Sequence, residues 1–456
     1  AVLGIIAGLC SAGVILLFDL LITSLGSLWL AEGSPDGFEA MPRWLHFALP
    51  VAGASALGIA YSFLPSDSRE TGIVHVLSRM HSHYGHLPLR NAIVQLLGGA
   101  VALATGQSGG REGPGVHLGA AVNSNLAQAL NLPNNSQRIL IACGTAASIS
   151  VAFDTPLAGI IFAMEVIVTE YTVVGFMPVL LAAISATTLN RALGEGGALF
   201  ALPPVSMHSM AELPFILLLG VLAGAMISLF TTLLKLSLRL GHWPVLARFT
   251  LAGAVTGGLA LAVPEVLGMG YDTLSQALAG EVLPWVLLVL VACKLVATAA
   301  AVGLGLPVGL IGPSLVAGGC LGGVLGSWGA ALLPALSSDP ALYVAIGMGA
   351  AMAAVLGAPL AALLAVIELT HTVSVVFPTM LAIVAATLTH AITFRQRSAH
   401  QTVLAHLRRE IPDDPISRML HQTNVISAME VGVRTIPSTI DSETATLLQQ
   451  SAPTWC

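Results

Sequence analysis

Long runs of apolar residues, separated by short polar stretches, occupy most of the chain up to Phe394. Two examples are Phe215–Thr232 and Val286–Leu304, and each of these runs carries at most one charged side chain. A helix needs about 20 predominantly apolar residues to cross a bilayer, so the chain has room for more than about ten spanning segments. The pattern predicts an all-α polytopic membrane protein, embedded in a lipid bilayer.

Three apolar segments are interrupted by Gly or Pro and predict short, broken helices: TGIVHVLSRM, REGPGVHLGAA and GLIGPSLVAGG. Interrupted helices are tolerated at membrane depth only where they are buried in protein or line a cavity. Their N-termini present unpaired backbone N–H groups and a partial positive charge, which suit an anion. A cation pathway would instead use carbonyl groups and rings of carboxylates. The pattern therefore favours an anion pathway.

The apolar part of the sequence repeats itself. GTAASISVAFDTPLAGIIFAMEV aligns with GMGAAMAAVLGAPLAALLAVIEL, which pairs Pro156 with Pro359 and Glu165 with Glu368. REGPGVHLGAA also resembles LIGPSLVAGGC, at a similar spacing along the chain. Such a duplication is typical of transporters, whose site lies where the two halves meet. The sequence leaves open whether the two halves are inverted.

Composition agrees with a membrane protein, and the end of the chain differs from the rest. The 456 residues are 55% hydrophobic and 9% charged, whereas soluble domains carry about 25% charged residues. We predict a membrane domain over residues 1–410, with halves at about 1–200 and 205–400, and the start of a soluble domain over 411–456. Basic residues after the last span place this end in the cytoplasm by the positive-inside rule: Arg395, Arg397, Arg408 and Arg409. The net charge of −6 says little about partners.

The motif GREGP, from Gly110 to Pro114, carries the strongest chemical signal. Pro114 suits the first turn of a helix, and Gly113 allows backbone to approach a ligand closely. Glu112 would stand just ahead of the helix start, where the N–H groups that suit an anion also stabilise a carboxylate. Glu112 could therefore occupy the place of an anion and leave it when protonated. The alternative is that Glu112 simply caps the helix.

These motifs resemble those of the CLC family of chloride channels and transporters. GREGP is similar to the family signature, with Glu112 at the position of the external gating glutamate. The family's GxFxP motif appears as GLIGP, and its GSGIP motif is degraded to ETGIV, which places Thr71 at the position of the pore serine. The resemblance covers nearly the whole chain, and it implies that an early membrane helix of the family is missing at the N-terminus. It implies the CLC fold of two pseudo-symmetric halves and a homodimer with one chloride pathway in each subunit.

The resemblance also implies which residues contact the anion: Thr71, Gly72, Gly113, Leu310, Ile311 and His400. Threonine supplies the same O–H donor as serine. His400 stands where the family has a tyrosine, although another register puts Phe394 there. A histidine could donate an N–H group and titrate near neutral pH, and a phenylalanine could do neither. Glu70 replaces a glycine of the family and would either cap the helix that begins here or repel anions.

The position of the family's internal proton glutamate is occupied by Val166, directly after Glu165. Valine cannot bind a proton, and passive channels of the family commonly have this E-V pair. We therefore predict a passive chloride channel gated by Glu112. The alternative is a chloride/proton antiporter that uses an unconventional inner route through Glu165, Glu70 or water. As the counterpart of Glu368, Glu165 is more simply a structural or water-facing carboxylate.

Other polar residues suggest no further chemistry. The intramembrane charges Lys294, Asp154 and Arg138 could pair within the bundle or lie at its rim. Four histidines around a loop loosely allow a metal site, although solvated loop segments explain them equally well: His75, His81, His83 and His86. The five cysteines have no metal-binding spacing, and no HExxH motif or nucleophile–base pair indicates an enzyme. We predict no cofactor, metal ion or nucleic-acid partner.

Both ends of the chain suggest where the protein resides. The chain opens inside an apolar stretch without a basic region before it, which we interpret as a membrane helix of a truncated chain rather than a signal peptide. The tail after residue 411 resembles the beginning of a CBS domain, of which only a first strand and helix would fit before Cys456. The compact loops suggest a prokaryote. We therefore expect a multi-pass protein of a prokaryotic plasma membrane.

Overall fold

The computed structural model describes residues 1–30, 37–169, 172–194, 200, 205–332, 334 and 338–409. The chain divides into two compact units, Ala1–Glu410 and Ile411–Cys456, and the described residues all lie in the first unit. The predicted CBS segment over 411–456 therefore lies outside the described residues. The described part is built from seventeen α-helices: α1 Val2–Gly26, α2 Arg43–Ser62, α3 Gly72–Ser82, α4 Leu89–Ala104, α5 Glu112–Ala129, α6 Asn134–Phe153, α7 Pro156–Phe162, α8 Val173–Ala192, α9 Leu213–Leu238, α10 Val245–Ala260, α11 Tyr271–Leu278, α12 Pro284–Gly303, α13 Ile311–Leu332, α14 Pro340–Leu356, α15 Pro359–Thr370, α16 Val376–Leu388 and α17 Ala399–His406.

Eight helical segments in the described residues are long and apolar enough to cross a membrane, and five apolar helical segments are shorter. This confirms the predicted all-α membrane architecture, although fewer helices reach full spanning length than the apolar runs suggested. The difference arises where Gly and Pro divide long apolar runs, as at Asp154 and Pro156, which separate α6 from α7. Of the three segments predicted to be short, only α3 is short, with 11 residues. Helices α5 and α13 run on for 18 and 22 residues.

The helices form two equivalent sets, α1–α8 and α9–α16. Helix α1 packs on α8 as α9 packs on α16, and α5 packs on α6 as α13 packs on α14. Helices α7 and α15 pack on each other. The Glu165 carboxylate, just past the end of α7, accepts hydrogen bonds from Leu360 N and Ala361 N at the start of α15, at 3.3 and 2.9 Å. Glu368, near the end of α15, accepts equivalent bonds from the start of α7, at 2.9 and 2.8 Å.

This reciprocal capping shows how the halves are related. Each carboxylate lies towards the C-terminal end of its own segment and reaches the N-terminus of the equivalent helix in the other half. The equivalent helices α7 and α15 therefore run antiparallel, and a two-fold axis lies between them. Because equivalent helices run in opposite directions, the two halves are inverted, which the sequence left open.

The halves also meet through backbone just ahead of α5 and α13. Gly110 N donates to Gly309 O at 2.8 Å, and Gly309 N donates to Gly110 O at 2.7 Å. A Cβ atom on Gly309 would lie only 2.7 Å from Gly113 N, and one on Gly113 would lie 2.8 Å from Gly309 Cα. Glycine is required here because two backbone segments touch. The contact brings the N-termini of α5 and α13 together.

Candidate functional site

Glu112 is the first residue of α5 and is 1% exposed. Its carboxylate extends into the other half, where Oε2 accepts a hydrogen bond from Gly312 N at 3.2 Å and Oε1 accepts one from the Tyr271 hydroxyl. The sequence placed Glu112 just ahead of the helix, whereas α5 begins at this residue. The carboxylate thus binds the N-terminus of α13 in the other half, while its own residue begins α5.

The two helix starts have the same backbone pattern. The amide of Gly115 bonds to Arg111 O at 2.9 Å, and that of Ser314 bonds to Leu310 O at 3.1 Å. Amides that precede these donors in each helix have no acceptor within the helix, and they carry the partial positive charge of a helix N-terminus. Pro114 and Pro313 lack an N–H group, and because they lie in the first turn, no hydrogen bond within the helix is lost. The Glu112 carboxylate thus lies where backbone N–H groups favour negative charge.

Tyr271, which the sequence analysis did not single out, is the second donor to Glu112. It begins α11 directly after Gly270, whose φ of +82° favours glycine. The ring of Phe200 contacts the Tyr271 ring edge-on, with centroids 5.8 Å apart. In the sequence, Tyr271 is recognisable only as a single tyrosine that follows a glycine between two apolar segments. No nearby residue indicates that it contacts Glu112.

The predicted intramembrane charges have structural partners. Lys294 is 1% exposed, and its Nζ donates to Val266 O at 3.1 Å and Gly268 O at 2.9 Å. It therefore fixes the loop that leads to Tyr271. Asp154 accepts bonds from the Arg191 guanidinium at 3.0 to 3.2 Å. Arg138 is half-buried.

A cavity of about 380 Å³, which we call the vestibule, lies beside these helix starts. Its wall includes five of the six residues that were expected to contact the anion: Thr71, Gly72, Gly113, Leu310 and His400. The sixth, Ile311, is buried and begins α13. His400 is 4% exposed, whereas Phe394, the alternative for its position, is 47% exposed and does not line the vestibule. The structure thus brings together residues that are more than 300 positions apart in sequence.

Thr71 precedes α3 as its N-cap residue, but its side chain makes no capping hydrogen bond. The first amide of α3, Gly72 N, instead donates to Gln95 Oε1 at 2.8 Å. Gln95 Nε2 donates to Pro307 O at 2.9 Å, so this buried side chain connects α3 with the loop before α13. Gln95 was missed, although a glutamine within an apolar helix is a sequence signal for a buried polar contact.

Glu70 does not cap α3, so that hypothesis is wrong. Its carboxylate accepts hydrogen bonds from both terminal nitrogens of Arg409, at 2.8 and 2.7 Å. The negative charge expected to repel anions is therefore paired. Arg69 and Arg248 also line the vestibule, so its wall has three arginines and one glutamate. This excess of positive charge favours anions.

Val166 lies in a π-helical turn, Ala163–Val168, that continues α7. Val166 and Glu165 are both half-buried, and neither lines the vestibule. Glu165 caps α15, as described above, which agrees with a structural carboxylate. Helix α3 packs against this turn.

Three of the histidines that the sequence placed around a loop have different hydrogen-bond partners in the structure. His75 is buried in α3, and its Nδ1 lies 2.8 Å from Nε2 of the buried His117 in α5. His81 Nδ1 bonds to Leu77 O of its own helix, and His83 bonds to Ser82. In the part of the chain that the structure describes, no three His, Cys, Asp or Glu residues come together as metal ligands would. The sequence analysis missed the His75–His117 pair.

Comparison with known proteins agrees with this architecture. Residues 51–391 match the family described as voltage gated chloride channel. The chain is 33% identical over 369 residues to a putative chloride channel protein ClcB-like of Ralstonia nicotianae, covering 78% of this chain and 85% of that protein. It is 30% identical over 379 residues to the H⁺/Cl⁻ exchange transporter ClcA of Vibrio cholerae, covering 80% of each chain.

Among solved structures, a slow cyanobacterial Cl⁻/H⁺ antiporter superposes with a TM-score of 0.76 at 22% identity, over 89% of this chain and 96% of that chain. This similarity shows a shared fold. Together with the match over residues 51–391 and the two relatives, it establishes that the chain belongs to the voltage gated chloride channel (CLC) family.

Proposed function

We propose that the chain transports chloride along a path that leads from the vestibule past the starts of α5 and α13, and that Glu112 gates this path. The hydrogen bond from Gly312 N to the Glu112 carboxylate carries this proposal. A carboxylate and a chloride ion compete for the same N–H and O–H donors. Protonation removes the negative charge, weakens these bonds, and frees the position for chloride.

The vestibule supports chloride as the transported ion. The Thr71 hydroxyl does not cap α3, so it can donate to an anion. His400 Nδ1 is buried and has no hydrogen-bond partner among the described residues. Three arginines line the same cavity and raise the local concentration of anions.

Passive conduction is the first candidate for the coupling. Val166 occupies the expected position of the internal proton glutamate, and valine cannot carry a proton. The ClcB-like relative is named a putative chloride channel.

Proton-coupled exchange is the second candidate, because buried titratable groups lie between the vestibule and α5. His75 lines the vestibule and bonds to His117 of α5. The Vibrio relative is named an H⁺/Cl⁻ exchange transporter. Both candidates use Glu112 in the same way.

We propose the same assembly and orientation for either candidate. Two copies form a homodimer with one pathway in each subunit, in the plasma membrane of a bacterium. The vestibule faces the cytoplasm, because the basic segment that contains Arg408 and Arg409 lies at its side of the protein.

Chloride efflux from liposomes tests the gate, with the wild type compared with Glu112→Gln. We expect wild-type efflux to rise as pH falls, because protonation releases Glu112. Glu112→Gln removes the charge permanently, so its efflux should be about tenfold faster and independent of pH, as expected when hydrogen bonds to a charged group are weakened. Glu368→Gln is the matched control, since this glutamate caps a helix outside the pathway, and it should keep the wild-type pH response.

An unchanged rate and pH response in Glu112→Gln would contradict the proposed gate. A pH electrode in the same experiment separates the two candidates. Proton movement against its gradient, at a fixed ratio to chloride, would exclude passive conduction. Chloride efflux without proton movement would exclude exchange.

A further inference from the structure

His75 and His117 form a buried pair whose role the gate alone does not explain. They are 2% and 0% exposed, they belong to α3 and α5, and their rings are joined by the 2.8 Å contact between His75 Nδ1 and His117 Nε2. Ionisable residues inside a membrane protein are expensive to bury and are commonly part of ion or proton pathways. Histidine is the side chain best suited to gain and lose a proton near neutral pH.

The neighbours of the pair define a direction for proton movement. Arg79 Nε donates to His75 Nε2 at 3.2 Å, so this nitrogen is the acceptor of a neutral ring. The proton of His75 then lies on Nδ1 and is donated to His117 Nε2. The proton of His117 consequently lies on its Nδ1, which is buried and has no hydrogen-bond partner among the described residues. The pair thus has an acceptor nitrogen bonded to Arg79 at one end and an unused donor at the other.

The two ends face different parts of the pathway. His75 lines the vestibule, and its Nε2 lies 3.8 Å from Glu70 Oε2. His117 lies five residues after Glu112 on the same helix, a rise of about 7.5 Å along the axis. Helix α3 also packs against the turn that contains Val166. The helix that carries His75 therefore contacts the segment that contains Val166, at the expected position of the relay glutamate.

We propose that the His75–His117 pair is the vestibule-side proton site of this protein and delivers protons to Glu112. The inference rests on the proposed gating role of Glu112. When the Arg79 side chain releases His75 Nε2, a proton from vestibule water binds this nitrogen, the Nδ1 proton of His75 passes to His117 Nε2, and the Nδ1 proton of His117 leaves through water towards Glu112. After the transfer each ring carries its proton on Nε2, and each ring returns to its first tautomer by losing this proton to water and gaining one from water at Nδ1. In a passive channel this step opens the gate, and in an exchanger it is the transported proton.

The charges around the pair suit transient protonation. Burial of His75 is the main effect that opposes a long-lived imidazolium, and the positive charges of Arg79 and Arg409 and the ring of His83, which face His75, oppose it further. Glu70 favours the imidazolium, although its own charge is shared with Arg409. On the other side, His75 is the titratable group that faces His117 among the described residues. A site that releases its proton readily serves delivery better than storage.

Recording chloride current across a planar bilayer, with pH set separately on each side, tests the proposal. We expect the wild-type current to rise when the vestibule-side pH falls. In His117→Gln, this vestibule-side response should fall about tenfold or more, in line with the loss of a positioned proton carrier. The response to pH on the opposite side should remain. His81→Gln is the matched control on α3, because His81 does not line the vestibule and bonds to Leu77 O of its own helix, so this variant should leave both responses intact.

The proposal would be overturned if the chloride current of His117→Gln depended on vestibule-side pH as strongly as that of the wild type. It would also be overturned if the wild-type current did not depend on vestibule-side pH. His75→Gln provides a second variant if His117→Gln does not fold, and the same result is expected. Glu112→Gln separates the two proposals. If it abolishes both pH responses while the histidine variants keep theirs, only the proton site fails. If it keeps both, the gate itself fails.

Discussion

The N-termini of α5 and α13 occupy equivalent places in the two halves, but they differ in the side chains that they carry. Both follow a glycine that pairs with its counterpart across the two-fold axis, and both leave their first amides without an acceptor in the helix. Helix α5 starts with Glu112, whereas α13 starts with Ile311. Glu112 reaches across and binds Gly312 N of α13. The first half thus supplies the carboxylate, and the second half supplies the backbone amide that binds it.

The two capping glutamates, in contrast to the helix starts, have kept the same contacts with the backbone in both halves. Glu165 and Glu368 each bind two amides of the equivalent helix in the other half, with distances between 2.8 and 3.3 Å. Symmetry has been kept where the glutamates hold the halves together. It has been lost at the helix starts, where the proposed gate uses a single removable carboxylate. The comparison thus separates structural positions from functional ones.

The largest effect is expected where the two helix starts touch. In Gly309→Ala, the new Cβ would lie 2.7 Å from Gly113 N and 2.9 Å from Gly110 O, so the backbones of both halves must move apart. We expect loss of chloride efflux by about 100-fold or more, since this contact sets the distance between Glu112 and Gly312. Gly258→Ala is the control, because a Cβ there meets nothing within 4 Å. Efflux and size-exclusion profiles give the measurement, and a fully active Gly309→Ala protein would contradict a rigid contact.

Much of this arrangement could be predicted from local patterns. The apolar runs predicted a helical membrane protein, and the repeated segments correctly paired Glu165 with Glu368. The GREGP motif pointed to the start of α5. These features are local because apolar periodicity, prolines and glycines act on their own segment of chain. Motif order was enough to place Thr71 and Leu310 in one expected site, and both line the vestibule.

The remaining features depend on contacts between distant segments. Glu70 pairs with Arg409, 339 positions away, and Tyr271 bonds to Glu112, 159 positions away. No local rule specifies such partners, so the sequence suggested for Glu70 a helix cap or repulsion of anions, and not its ion pair with Arg409. His75 was grouped with loop histidines that are close in sequence, whereas its partner in the fold is His117. Tertiary packing, which the sequence pattern does not determine, decided each of these cases.

An intermediate effect is expected from Tyr271→Phe, which sharpens the asymmetry between the helix starts. The variant removes one of two described donors to the Glu112 carboxylate and leaves Gly312 N. A hydrogen bond to a charged group contributes about 1.5–3 kcal/mol, so chloride efflux should rise about tenfold and less acid should be needed to open the gate. Tyr61→Phe is the control, since its hydroxyl bonds to Val94 O at 3.3 Å and, within the described residues, not to Glu112. Efflux measured against pH would refute this role of Tyr271 if both variants behaved alike.

The smallest effect is expected at the symmetric glutamates. Glu165→Gln and Glu368→Gln each keep an oxygen acceptor but lose the charge at a helix N-terminus, which is worth about 0.3–1 kcal/mol. Because each glutamate accepts two backbone hydrogen bonds, thermal unfolding in detergent should show a small loss of stability in both variants. The pH dependence of chloride efflux should stay as in the wild type for both. If Glu165→Gln alone altered proton movement or the pH response, Glu165 would be a substitute proton relay. Glu165 and Glu368 would then differ in function although they make equivalent hydrogen bonds.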